Sequence, residues 1–226
     1  MTANQGVSNA LVIGDSGGIG AALSAALFKH GASVRGLSRS GDGFDISDAN
    51  SVERHLAGIE EKFELIVIAT GILAPQGKTP EKSLTAIEAD SMAEMFAVNA
   101  IGPAVVLRHV CRLLNSSQPS VVAVITARVG SIADNRAGGW YSYRASKAAA
   151  NQIVRSAAIE IARKRKQACV VALHPGTVDT AFTSSYPNHD KHSPAQAAAH
   201  LLAVIDRLTP EMTGQFFDWA GEPIPW

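Results

Sequence analysis

A glycine-rich turn near the start of the chain constrains the fold more than any other feature. An apolar run from Asn9 leads into Gly14-Asp15-Ser16-Gly17-Gly18-Ile19-Gly20, and an alanine- and leucine-rich stretch follows. The order predicts a buried strand, a tight turn and a helix. Glycines let the backbone approach a pyrophosphate, and unpaired N–H groups at the helix start bind the anion. The segment favours a dinucleotide site over a merely flexible turn, and it lacks the Gly-Lys-Ser/Thr ending of a nucleotide-hydrolysing loop.

The composition is typical of a compact enzyme domain. The chain has 226 residues, of which 46% are hydrophobic and 18% charged, and we predict one α/β domain over residues 1–226. A formal net charge of +0 predicts no nucleic-acid partner. We find no run of about 18 apolar residues and no secretory signal, and therefore expect no membrane partner. Cys111 and Cys169 lack metal or redox spacing, which predicts free thiols, no metal site and a cytoplasmic location.

Strand-like and helix-like segments alternate along the chain. The strand-like runs are rich in Val, Ile and Leu, which indicates strands buried on both faces. They cover residues 10–13, 33–37, 43–46, 65–69, 121–126, 168–173 and 215–218. The helix-like segments cover residues 19–29, 49–59, 91–114, 143–164 and 194–208. We predict a doubly wound Rossmann fold, with a parallel sheet of about seven strands and helices on both faces.

Tyr143 and Lys147 form the candidate catalytic pair. They lie four residues apart, so a helix places both on one face. An ammonium near a phenol lowers the pKa of the tyrosine and makes it a better proton donor near neutral pH. Such a pair can protonate the oxygen of a carbonyl that is being reduced. The same spacing also arises by chance, and a lone Lys147 could equally be a solvated lysine on a helix. The glycine turn is therefore needed to support a catalytic role for the pair.

Five motifs in order resemble those of the short-chain dehydrogenase/reductase family. They are Gly14, Gly18 and Gly20 in the turn, Ala69-Thr70-Gly71, Asn99, the Tyr143–Lys147 pair, and Pro175-Gly176-Thr177-Val178-Asp179-Thr180. Within the family, residues 128–135 and 221–226 are similar to the bacterial C-factor-like proteins and the insect carbonyl reductases. The resemblance covers nearly the whole chain.

The resemblance implies hydride transfer between a nicotinamide cofactor and a small carbonyl or alcohol, such as a ketone, aldehyde or quinone. Tyr143 would donate the proton, Lys147 would hold the nicotinamide ribose, and Asn99 would order a water that relays protons to Lys147. Without the resemblance, Asn99 would as readily satisfy backbone groups at a helix kink. Besides these three, the implied cofactor-binding residues are Gly14, Ser16, Gly17, Gly18, Ile19, Gly20, Ser38, Arg39, Asp45, Ile46, Ala69, Thr70, Gly71, Pro175, Gly176, Val178 and Thr180.

The end of the second predicted strand favours NADP(H) over NAD(H). An acidic residue there would accept the ribose hydroxyls of NAD and repel a 2′-phosphate. No Asp or Glu lies between Ala32 and Gly41, and Ser38 and Arg39 stand there instead. An arginine can pair with the phosphate, although it could also merely solvate the strand end. The basic residue that many NADP-preferring relatives carry inside the glycine turn is replaced by Gly17.

One position departs from the family pattern. The serine that binds the substrate carbonyl in relatives aligns with Ala127. Ser131 or Thr126 could replace it, and losing one such donor typically lowers the rate by roughly 10²–10³. A regulatory, nucleotide-binding protein of the C-factor type with little turnover is therefore the alternative function.

The loops and helices around the predicted site support two further expectations. Residues 181–193 form a short substrate lid in which Phe182 and Tyr186 could face an apolar ligand. Residues 91–114 and 143–164 match helices that relatives use for two-fold contacts, and we expect a homodimer or homotetramer.

Overall fold

Six parallel strands form a single sheet in the computed structural model, which describes residues 6–184 and 190–226. The strands are β1 (Asn9–Ile13), β2 (Ser33–Leu37), β3 (Leu65–Ile68), β4 (Ser120–Ile125), β5 (Ala168–His174) and β6 (Phe216–Asp218). Their order is β2-β1-β3-β4-β5-β6, and every pair is parallel. Strands β1 and β3 consist almost entirely of buried aliphatic residues, as expected for a sheet covered on both faces. The Rossmann-type fold is confirmed.

Residues 43–46 are not a strand, so the prediction of about seven strands was wrong by one. A one-turn helix, α2 (Arg39–Asp42), follows β2, and Gly43 ends it with a left-handed φ of 69°. The backbone N–H of Phe44 then donates to the carbonyl of Ser38 at 3.1 Å. The chain thus doubles back, and Phe44 and Ile46 pack into the core from a loop. Their apolar side chains produced the strand-like pattern.

Seven α-helices surround the sheet in the described part of the chain. Besides α2, they are α1 (Gly18–Lys29), α3 (Ala49–Ala57), α4 (Ala89–Phe96), α5 (Gly102–Leu113), α6 (Tyr141–Lys164) and α7 (Pro194–Ile205). Helices α1 and α7 cover one face of the sheet through residues such as Leu23, Leu27 and Leu201. Helices α3, α5 and α6 cover the other face through residues such as Leu56 and Val154. Each amphipathic helix therefore buries its apolar stripe against the sheet.

The segment expected as one helix over residues 91–114 has a π-helical turn at its centre, Ala97–Ile101, between α4 and α5. Such single-turn interruptions are frequent at functional sites, and this one carries Asn99. Among the described residues, one helical stretch, Ala89–Leu113, is long and apolar enough to cross a membrane, by length and composition alone. Of the residues in its 18-residue apolar part, 44% are buried. Val106 and Val110 lie in the core against the sheet.

Candidate active site

The glycine turn after β1 is built to receive an anion. Gly14 has a φ of 90°, and its carbonyl accepts the N–H of Gly17 at 3.1 Å. A Cβ on Gly20 would overlap that same carbonyl oxygen, so only glycine permits the turn to close. Helix α1 starts here with no side-chain cap and no acidic residue in its first turn. Its first N–H groups and its positive dipole end are thus left for a ligand phosphate, which fits a dinucleotide.

Three loops meet at the carboxyl edge of the sheet, where the order of strands reverses between β1 and β3. A Cβ on Gly14 would lie 3.0 Å from the carbonyl oxygen of Ala69 and 3.0 Å from the methyl group of Thr70. A Cβ on Gly18 would overlap the methyl group of Thr180, from the loop after β5. The structure thus brings together the segments 14–20, 69–71 and 175–180 at the position where such sheets bind ligands.

Two carboxylates that the sequence prediction did not include lie close to β2, one from α2 and one from the turn after β1. Asp42 is the last residue of α2, and its carboxylate accepts the backbone N–H of Ser38 at 3.0 Å. The carboxylate of Asp15 fills the space above Gly36, where a Cβ would overlap it, and its Oδ1 is buried without a hydrogen-bond partner among the described residues. Ser38 is buried and caps α2, whereas Arg39 is exposed. In the sequence, the one sign of this contact is the glycine at position 36, because any side chain there would collide with Asp15.

Asp45 and Ile46 lie in the loop after α2. The carboxylate of Asp45 accepts the hydroxyl of Ser47 at 2.6 Å and its backbone N–H at 2.9 Å, and these bonds lower the pKa of Asp45. Ile46 is buried, and a Cβ on Gly102 would meet it, so this loop packs on the start of α5. The carboxylate of Asp45, which the resemblance implies as cofactor-binding, is thus already engaged within its own loop.

Lys147 and Asn99 converge on Gly71. A Cβ on Gly71 would lie 3.2 Å from Asn99 Oδ1 and 3.2 Å from Lys147 Nζ. The ammonium donates to the carbonyl of Ile125, at the end of β4, at 3.2 Å. A Cβ on Gly130 would lie 2.8–3.0 Å from Lys147 atoms, so this glycine allows the loop after β4 to approach α6 closely. The buried lysine is therefore held from three sides.

The side chain of Asn99 ties the loop after β3 to the helix that carries Tyr143. Its Oδ1 accepts the N–H of Ile72 at 2.9 Å, and its Nδ2 donates to the carbonyl of Ile72 at 2.9 Å and to Ser146 Oγ at 3.1 Å. Ser146 in turn donates to the carbonyl of Tyr143 at 2.9 Å. Both N–H groups of the amide are occupied, so a water ordered by Asn99 would bind at Oδ1 or at the backbone carbonyl.

The pKa values of the pair depend on burial. Lys147 is 4% exposed and Tyr143 is 6% exposed. Burial lowers the pKa of Lys147 to about 8, and burial alone raises the pKa of Tyr143. Lys147 Nζ lies 5.9 Å from the centre of the tyrosine ring. The expected lowering of the tyrosine's pKa by the ammonium is therefore absent from this geometry, and the phenol is kept protonated.

Ala127 stands beside Tyr143. The two residues share a small buried cluster with Met95, so the position aligned with the family serine faces the tyrosine but offers only a methyl group. Ser131 is buried, and its Oγ accepts the N–H of Asp134 at 3.1 Å. Thr126 Oγ1 is buried without a partner among the described residues. Among the described residues, neither hydroxyl forms a hydrogen bond with Tyr143.

The lid segment touches the site through Phe182. Its ring meets that of Tyr143 edge to face, with centroids 6.0 Å apart. Tyr186 lies outside the described residues. Val178 is buried and pairs with His192, which closes the base of the segment. Pro175 precedes Gly176, whose φ of 78° turns the chain away from β5 toward the lid.

Among the described residues, no group of three or more His, Cys, Asp or Glu side chains could hold a metal ion. Both cysteines described are unpaired.

The parallel sheet and the glycine turn at its carboxyl edge define a class of dinucleotide-binding protein. The chain belongs to the short-chain dehydrogenase/reductase family of oxidoreductases. A family model described as enoyl-(acyl carrier protein) reductase matches residues 42–215. The chain is 33% identical over 233 residues to the 1-hydroxy-2-glutathionyl-2-methyl-3-butene dehydrogenase of Rhodococcus sp. (strain AD45), with 97% of this chain and 100% of that protein covered.

Two further relatives bear on the branch of the family. The C-signal protein of Myxococcus xanthus is 40% identical over 136 residues, which cover 60% of this chain and 78% of that protein. A carbonyl reductase from Pseudomonas aeruginosa PAO1, solved in complex with NADP, is 26% identical, with a TM-score of 0.78 and 98% and 100% of the two chains covered. The resemblance to C-factor-like proteins and carbonyl reductases is confirmed.

Proposed function

We propose that this protein reduces a ketone, aldehyde or quinone to an alcohol with NADPH, and that Tyr143 donates the proton. One observation carries the proposal: Asn99 Oδ1 and Lys147 Nζ converge on Gly71, which lies in the loop that packs against the glycine turn. Asn99 and Lys147, two of the three proposed catalytic residues, thus lie at the same edge of the sheet as the phosphate-binding turn. This arrangement suits a nicotinamide ring placed beside a carbonyl.

The chain's own residues would divide the work. A bound nicotinamide cofactor supplies the hydride. The buried Tyr143 stays a neutral phenol at neutral pH, the form that can donate a proton to the carbonyl oxygen. Lys147, with a pKa of about 8, carries a charge that can stabilise the phenolate left behind. Asn99 and Ser146 hold the backbone of Tyr143 in place.

Cofactor preference is proposed as NADP(H). Arg39 is exposed at the start of α2, at the end of β2 where the adenine ribose of a dinucleotide lies in this fold. Its guanidinium can reach a 2′-phosphate in solvent. Asp15 and Asp42 oppose a second negative charge there, although Asp42 is engaged by the backbone of Ser38. The NADP bound in the Pseudomonas carbonyl reductase supports the same preference.

The surroundings of Tyr143 favour an apolar or aromatic carbonyl. Ala127, Met95 and Phe182 contact or neighbour its ring. A cavity of about 310 Å³ lies nearby, between Met95, Ser142 and the loop from Leu73 to Glu81, and Tyr143 itself is not among the residues that line it. Its volume is at the lower end of small-molecule sites. The Rhodococcus relative acts on a glutathionyl alcohol, so thiol conjugates belong among the candidate substrates.

The experiment measures NADPH and NADH oxidation against ketones, aldehydes, quinones, an enoyl thioester and a glutathionyl aldehyde. We expect turnover of at least one carbonyl, with NADPH preferred, and a loss of at least about 10²-fold in Tyr143→Phe. Tyr141→Phe, two residues earlier on the same helix, is the matched control and should keep its rate. Turnover that survives in Tyr143→Phe would refute the assignment.

A regulatory role is the second candidate. Ala127 leaves the site without the hydroxyl donor expected beside Tyr143, and the C-signal protein is a relative. A protein that binds NADPH tightly but oxidises it with no compound of the panel would fit this role better than the first.

A further inference from the structure

Helix α6, which carries Tyr143 and Lys147, begins from an unusual turn. Gly138 and Gly139 both have a φ of 62°, and Trp140 follows with a φ of 53°. Trp140 is the one non-glycine residue with a positive φ among the described residues. A left-handed conformation costs a residue with a side chain about 1–2 kcal/mol. Contacts elsewhere must therefore hold the helix start in this shape.

Glu81 makes those contacts from the loop after β3. Its backbone carbonyl accepts the N–H of Trp140 at 2.6 Å. Its carboxylate accepts the N–H of Ser142 at 3.2 Å and also the hydroxyl of Ser142. The helix has no cap from its own N-cap side chain and no acidic residue in its first turn. Glu81 thus supplies, from 61 residues away, the anion that a helix N-terminus favours.

The turn that Glu81 fixes is in direct contact with the catalytic tyrosine. The ring of Trp140 packs edge to face on that of Tyr143, with centroids 6.1 Å apart. Arg144 donates to the carbonyls of Gly138 at 3.1 Å and Gly139 at 3.0 Å, which closes the turn from the other side. A shift of this turn would therefore move the phenol.

We propose that Glu81 is a positioning residue for Tyr143, an inference that rests on the proposed function. Its hydrogen bonds to Trp140 and Ser142, which we call the latch, join the loop that lines the cavity to the first turn of α6. The half-buried carboxylate satisfies two donors of Ser142 and one end of the helix dipole at the same time. Without it, the strained turn relaxes, and the hydroxyl of Tyr143 loses its alignment with the carbonyl. Misplacement by about 1 Å can lower a rate by about 10²-fold.

The test compares Glu81→Ala, Glu81→Gln and Glu160→Ala. Glu160 is an exposed carboxylate of the same helix, paired with Lys164, and serves as the control. The side-chain oxygen of glutamine still accepts one hydrogen bond from Ser142, so Glu81→Gln should recover part of the loss. We expect kcat to fall at least tenfold in Glu81→Ala and about threefold in Glu81→Gln, while the Kd of NADPH, measured by fluorescence, changes less than twofold.

Hydrogen–deuterium exchange of the peptide over residues 138–146 provides a readout that needs no substrate. Exchange should rise in Glu81→Ala, rise less in Glu81→Gln, and stay unchanged in Glu160→Ala. Unchanged exchange in Glu81→Ala would overturn the latch. Raised exchange with an unchanged kcat would overturn its role in positioning. A wild-type protein that reduces no carbonyl would instead refute the proposed function, and the exchange measurement would still decide whether Glu81 holds the helix start.

Discussion

The residue beside Tyr143 that aligns with the family serine, Ala127, carries no hydroxyl. It packs against Tyr143 but offers no hydrogen-bond donor to a carbonyl oxygen on which charge develops. Thr126, its neighbour, has a buried hydroxyl without a partner in the described part of the chain, and the hydroxyl of Ser131 supports a local turn. We therefore expect the missing hydroxyl at Ala127 to limit the rate of carbonyl reduction.

Adding that hydroxyl should raise the rate. In Ala127→Ser we expect kcat for the best carbonyl of the panel to increase about tenfold or more, because one preorganised donor is worth roughly 10²–10³ in rate. The affinity for NADPH should not change. Steady-state kinetics of the two proteins at equal NADPH saturation checks this, and an unchanged kcat in Ala127→Ser would show that another group already binds the oxyanion.

The buried Lys147 should leave a signature in stability against pH. Its pKa falls from 10.5 to about 8 on folding, so between these values the unfolded chain binds more protons and the contribution of Lys147 to stability rises with pH. Lys147→Met has no ammonium at this position and therefore lacks this pH-dependent contribution to the free energy of unfolding. We expect the stability of the wild type, relative to Lys147→Met in the absence of cofactor, to increase between pH 7.5 and pH 10. Urea unfolding of both proteins measures it, and a constant difference would contradict a buried ammonium.

At the scale of elements, α1 and the turn before it form the part that is least able to change. A Cβ on Gly20 overlaps a backbone oxygen of the same turn, which has no room to move. We expect Gly20→Ala to weaken NADPH binding at least tenfold and to lower the melting temperature. Gly58→Ala is the control, because a Cβ there meets nothing within 4 Å. Calorimetric titration with NADPH and a thermal melt decide the matter, and equal affinities would count against the phosphate cradle.

The sequence predicted the elements whose patterns are local. Strand β1, the glycine turn and α1 follow from an apolar run, glycine spacing and helix propensity, and α6 was displaced by only two residues at its start. Residues 43–46 were wrongly predicted as a strand, because apolar side chains that a loop buries in the core give the same sequence pattern as a buried strand. The π-helical turn at Asn99, the contact of Asp15 with Gly36 and the latch at Glu81 depend on contacts between distant segments. No spacing in the chain encodes them.

At the scale of the whole molecule, we propose that the protein forms a two-fold oligomer through α4, α5 and α6. Ile101 is 55% exposed and Ile159, on α6, is 46% exposed. Ile159→Asp should therefore shift a dimer or tetramer toward smaller species, because burying a carboxylate at an interface is unfavourable. Phe28→Asp, on the opposite face of the sheet, is the control. Light scattering after size exclusion measures the mass, and a monomeric wild type would refute the assembly.

We propose that Tyr143 and a nicotinamide cofactor reduce a carbonyl at the carboxyl edge of this sheet. Mass spectrometry of the product formed with NADPH that carries deuterium in place of both hydrogens at C4 of its nicotinamide tests this reaction. We expect one deuterium on the former carbonyl carbon with the wild type and with Tyr141→Phe, and a loss of at least about 10²-fold in labelled product with Tyr143→Phe. Unlabelled product, or equal labelling by Tyr143→Phe, would contradict it.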